Sequence, residues 1–73
     1  MKLLIHMDGG LIQGIFADEA SDVEVIVADY DVTGTQQTIH TDPDGDQVVL
    51  WKEEPVIGTT YAEQMFKLFE SVK

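Results

Sequence analysis

The chain has no cysteine and no arginine, only two prolines and two serines, and four lysines as its whole supply of fixed positive charge. Each shortage removes a class of function. Without cysteine there are no disulfides, no thiol nucleophile and no thiolate metal site. A reducing cytoplasm fits that composition and is the expected location. Four lysines stand against fourteen Asp and Glu, for a net charge of −10. Neither nucleic-acid phosphates nor anionic membrane are expected as direct partners, because both require a basic footprint. No apolar run approaches the roughly 20 residues of a transmembrane helix. The run after Lys2 is also too short for a signal peptide. Ser21 falls in a loop and Ser71 in the last helical turn, neither beside a local base, so hydrolytic catalysis finds no support. There is no phosphate loop.

What is present is a chain of 73 residues, 44% apolar. That apolar content is ordinary for a globular domain and too high for a disordered one. One small domain is expected, over residues 1–73. A chain of this size buries only about 60% of its unfolded surface.

Its clearest element is the last, a helix over Thr60–Val72. Thr60 and Glu63 have the spacing of a capping box, in which a hydroxyl and a carboxylate satisfy each other's free amides. Tyr61, Met65, Leu68 and Val72 recur at helical spacing, with Ala62, Phe66 and Phe69 one position on. They form a wide apolar stripe. About 13 residues make a marginal helix in water, so the stripe needs a surface. Its expected role is core, each large side chain stabilising by roughly 1.5–3 kcal/mol if buried. The other reading offers the stripe to a partner's groove.

Everything upstream reads as strand and turn. Lys2–Met7 and Leu11–Ala17 flank Asp8-Gly9-Gly10, a hairpin turn whose glycines accept positive φ. Gly14 inside the second strand predicts a bulge or a close backbone approach. Val23–Ala28 alternates as a third strand, and the three together read as an antiparallel meander. Thr35–Thr41 alternates weakly as a fourth. Asp42-Pro43-Asp44-Gly45-Asp46 is a second turn, and Gln47–Lys52 is the fifth strand. Val56–Thr59 leads into the helix. The expected fold is α+β: an antiparallel sheet of four to five strands with one C-terminal α-helix packed on one face.

Gly9-Gly10-Leu11-Ile12-Gln13-Gly14, followed by Val23-Glu24-Val25-Ile26-Val27-Ala28-Asp29-Tyr30-Asp31, resembles a recurrent pattern in small uncharacterised bacterial proteins, some of them carried on phages or other mobile elements. The resemblance spans about residues 3 to 31. It implies no activity and assigns no residue a role. A mobile-element setting would imply an inhibitor or accessory protein.

Three constellations bear on chemistry. Asp42, Asp44, Asp46 and Glu53 occupy positions one, three, five and twelve of an EF-hand count, with Val49 at the apolar position eight. Against a Ca²⁺ site, Gln47 stands where the sharp turn wants Gly, Pro43 stiffens position two, and no helix flanks the segment. An ordinary hairpin turn is the expected reading. His6-x-Asp8 and His40-x-Asp42 each point two side chains to one face of a strand. They could hold a transition ion only if the strands were neighbours. Neither metal site is expected, and no cofactor is. Finally, Asp18, Glu19, Asp22, Glu24, Asp29 and Asp31 crowd one part of the chain, with Tyr30 among them. They are the candidate interaction residues. Trp51 is expected in the core.

The function these features point to is a non-enzymatic, acidic protein-interaction module, with a protein partner that has a basic surface. The runner-up is a DNA-mimicking inhibitor of a nucleic-acid-binding protein, and a third reading is weak divalent-cation binding at the Asp42–Glu53 loop. Exposed sheet edges and the apolar helix also permit a homodimer.

Overall fold

In the computed structural model, which describes residues 1–73, the order is β1 (Leu3–Asp8), β2 (Leu11–Ala17), β3 (Val25–Asp29), β4 (His40–Thr41), β5 (Gln47–Glu53), β6 (Val56–Ile57) and α1 (Thr60–Val72). The class is α+β with one C-terminal helix, as expected. The sheet is not the single antiparallel one of four to five strands. The strands form two three-stranded sheets, ordered β1-β2-β6 and β3-β5-β4. They belong to two compact units, residues 1–23 with 54–73, and residues 24–53.

In the first unit, β1 and β2 pair antiparallel across Gly9 and Gly10, both at positive φ. The hairpin turn is where its glycines predict it. The bulge expected at Gly14 is present. The register runs His6 to Gly14 and then Met7 to Ile12, so Gln13 is an extra, bulged residue beside it. A Cβ on Gly14 would also lie 3.1 Å from the Phe16 ring. β6 pairs parallel with β2, through Phe16–Val56 and Ala17–Ile57. The second edge of β2 is thereby occupied, and the expected meander fails: β3 pairs with β5 instead. Two residues of β6 carry little strand signal, which is why the sequence reads them as a lead-in to the helix.

Helix α1 has the expected bounds but not the expected cap. Thr59 is the N-cap, its Oγ1 accepting from the Ala62 amide at 3.2 Å. Thr59 and Thr60 are chemically equivalent candidates, and Gly58 at φ 78° sets the choice by turning the chain one residue before Thr59. The Tyr61 ring packs 5.6 Å from His6 and 5.4 Å from Phe16, edge-on to the latter. The helix therefore lies on the face of β1 that carries the even-numbered residues.

In the second unit β5 is the central strand, antiparallel to β3 over Val25–Asp29 and to β4 over His40–Thr41. The strand expected over Thr35–Thr41 shrinks to its last two residues, because three threonines and two glutamines offer little to bury. The core is small: Ile15, Ala17 and Ala62 in the first unit, Val48 and Val49 in the second. Trp51 is half-buried, with its indole N–H donating to Glu53 Oε1 at 2.7 Å. No helix is long and apolar enough to cross a membrane.

Candidate functional site

The apolar stripe of α1 is buried only over its first half. Ala62 is covered, and Met65 and Phe66 are half-covered. Leu68, Phe69 and Val72 are 53%, 61% and 70% exposed. The reason is geometric. Tyr61 anchors the helix start on the sheet, while the first-unit sheet is three strands wide and one of these has two residues. The helix outruns its support. Between its second half and the start of β1 lies an open groove of about 560 Å³, lined by Leu3, Leu4, Met65, Phe66, Phe69 and Val72 among others.

The polar rim of this groove is a small charge cluster. Glu70 lies 3.7 Å from Lys2 Nζ and 3.0 Å from Lys73 Nζ. All three side chains are about half exposed, so these pairs add little stability. Sequence reasoning assigned this stripe to the core. The signal that identifies it as surplus is its extent: seven apolar positions on one 13-residue helix, opposed by a single convincing hairpin.

The candidate interaction residues divide between the units. Asp18, Glu19 and Asp22 belong to the first, and Glu24, Asp29, Tyr30 and Asp31 to the second. Most are engaged locally. Asp18 Oδ1 accepts from the Lys2 amide at 2.7 Å and closes the end of the hairpin ladder. Glu19 lies 3.5 Å from the Met1 amino group, and Glu24 lies 3.8 Å from Lys52 Nζ. Asp29 accepts from the Asp31 amide, and Asp31 from the Thr33 amide. These are Asx turns, in which a short carboxylate organises the backbone two residues on.

The Asp42–Glu53 segment is likewise turn chemistry. Asp42 Oδ1 accepts from the amides of Asp44 and Asp46, both at 2.9 Å. Its Oδ2 accepts from the Tyr30 hydroxyl at 2.9 Å. Gly45, at φ 90°, donates to the Asp42 carbonyl at 3.0 Å. Glu53 sits at the far end of β5 on the Trp51 indole. The four carboxylates do not converge, and nowhere do three or more His, Asp or Glu side chains group as a metal would need. His6, against Tyr61, and His40, on β4, fall in different units.

The electrostatics follow from this lock. The Asp46 and Tyr30 hydrogen bonds hold the Asp42 carboxyl below its ordinary value. The same bond to the Asp42 carboxylate raises the Tyr30 phenol. Sequence reasoning placed Tyr30 among interaction residues and missed this role, because nothing local links positions twelve residues apart. No polar or charged side chain is buried.

A comparison with known proteins finds no matching family model, no matching curated protein and no matching solved structure.

Proposed function

We propose that this chain is a non-enzymatic protein-interaction module whose docking surface is the groove between α1 and the start of β1. The observation that carries the reading is the exposure of Leu68, Phe69 and Val72 on one helix face, beside Leu3 and Leu4. An open apolar groove on a small acidic protein suits an amphipathic helix, which lays its apolar face into such a surface. A net charge of −10 selects a helix with basic flanks. No polar or charged side chain is enclosed in the core, where a general acid or base would be set apart from water.

The test is titration of the ¹⁵N-labelled protein with a synthetic basic amphipathic helix, and with an acidic helix of the same apolar face. The basic peptide is expected to shift the amides of Leu3, Leu4, Leu68, Phe69 and Val72. Phe69→Glu should remove those shifts. Equal binding of both peptides, or shifts centred on Asp29–Asp31, would overturn the groove as the site.

A further inference from the structure

Strand β1 lies at the end of its sheet and pairs only with β2. The Asp18 amide donates to the Lys2 carbonyl at 3.2 Å, so the Lys2 backbone faces β2. Antiparallel ladders alternate. Leu4, His6 and Asp8 therefore also turn their backbone inward, and Leu3, Ile5 and Met7 turn theirs outward to the free edge. The same three side chains alternate with Leu4 and His6 along the strand and are 41%, 54% and 59% exposed, Leu3 also lining the end of the helix groove.

Edge strands are ordinarily blunted by a charged side chain, a proline or a bulge. Between Leu3 and Met7 there is no Asp, Glu, Lys or Pro, and the bulged residue, Gln13, lies on β2. The charges stand at the two ends, Lys2 and Asp8, and they are of opposite sign.

That arrangement is self-complementary. Two copies of β1, paired antiparallel about a two-fold axis at Ile5, place Leu3 opposite the second copy's Met7. Ile5 then faces its own equivalent, and Lys2 faces Asp8 at both ends. The register satisfies the backbone as well. Leu3, Ile5 and Met7 all present outward amides and carbonyls, giving about six hydrogen bonds across the pair. Lys2 and Asp8 fall in the non-hydrogen-bonded positions, where facing side chains come closest. Leu3, Ile5 and Met7 of both copies then form one apolar row along the seam.

We propose that this protein forms a two-fold dimer by edge-to-edge pairing of β1, in the register that sets Lys2 of each copy against Asp8 of the other. The occupant of the edge is a second copy, because the order of charges along the strand fits its own reverse. The pairing needs no occupant in the helix groove, so failure of either association leaves the other standing.

Sedimentation equilibrium, from micromolar to millimolar protein, tests the dimer. A monomer–dimer equilibrium is expected, and an 8.1 kDa species at every concentration would overturn the proposal. Charge reversal tests the register. Lys2→Asp and Asp8→Lys should each weaken dimerisation by roughly fivefold or more, since each puts like charges opposite one another twice. The double variant keeps the parent's net charge and should restore the parent's affinity. A double variant as weak as the singles would overturn the register.

The chain has no cysteine, so single cysteines give a clean second readout. Ile5→Cys should oxidise readily to a covalent dimer, because hydrogen-bonded pairs set Cα atoms about 5.5 Å apart, within disulfide range. Leu3→Cys should not, because its equivalent lies about 13 Å away along the strands. Equal cross-linking at both positions would overturn the pairing. Both side chains are substantially exposed, so the fold tolerates either change.

Discussion

The two units carry the same number of carboxylates and use them differently. The first has seven Asp and Glu against three Lys, and the second seven against one. In the first, Asp18 closes the end of the hairpin and Glu70 stands on the rim of an apolar groove that the chain leaves open. In the second, they are turn-formers: Asp29, Asp31 and Asp42 each accept from an amide two residues on. An acidic composition thus has two origins in one small protein. One is local backbone chemistry, which needs no partner. The other sets Glu70 on the rim of apolar groups that the fold does not cover, where the proposed docking surface lies.

The largest effect expected from breaking this contrast is in the core. Ile15 in the first unit is 2% exposed, and Ile15→Ala should cost roughly 2–5 kcal/mol by urea denaturation. Phe69, a larger side chain of the same unit, is 61% exposed. If the stripe were core along its whole length, Phe69→Ala would cost about as much as Ile15→Ala.

Next in size is the helix cap. Thr59→Ala should cost about 1 kcal/mol and Thr60→Ala close to nothing, measured by thermal unfolding, because only the Thr59 hydroxyl caps an amide. Two threonines in sequence leave that choice illegible, since either could begin the helix three residues before an amide it can accept from. The helix itself was legible because its periodicity is long. The Gly9-Gly10 hairpin was legible because its two-residue loop leaves the register no freedom, and the Asp42–Asp46 turn because its residues have few other uses. The sheet partition was not. It depends on β6, two residues whose parallel pairing with β2 takes the edge β3 was expected to use. The groove was half-legible. The stripe was visible, but its exposure depends on the width of the sheet beneath it, which no periodicity in the helix encodes.

Smaller and local is the effect of the Asp42 lock in the second unit. Asp42→Ala should speed hydrogen exchange at the Asp44 and Asp46 amides while leaving the Gly9-Gly10 hairpin unchanged. Asp42 has a lower pKa folded than unfolded. Its contribution is therefore complete above the unfolded value, and is lost as pH falls through the folded one. Acidification should open this turn only below the ordinary carboxylate range, which a pH series of the Asp44 amide shift would read directly. Opening at or above that range would mean the carboxylate is not held as the geometry describes.

The smallest effect on stability separates the two associations in the first unit. Phe69→Ser should change unfolding free energy by about 0.5 kcal/mol or less, since a side chain 61% exposed contributes little and the C-cap bond at this position is made by the backbone. It should still abolish binding of the basic helix, and leave self-association at β1 untouched because Phe69 is not on that strand. Salt sharpens the distinction through opposite signs. A basic helix is drawn to a chain of net charge −10, so its affinity should fall as salt rises. Two copies of that chain repel each other at long range, so the β1 dimer should tighten under the same change. Its two Lys2–Asp8 pairs lose a little to screening, but the repulsion relieved acts between all the excess carboxylates of both copies. Sedimentation and peptide titration in the same salt series therefore decide whether one surface or two are at work. Curves that move together would reduce them to one.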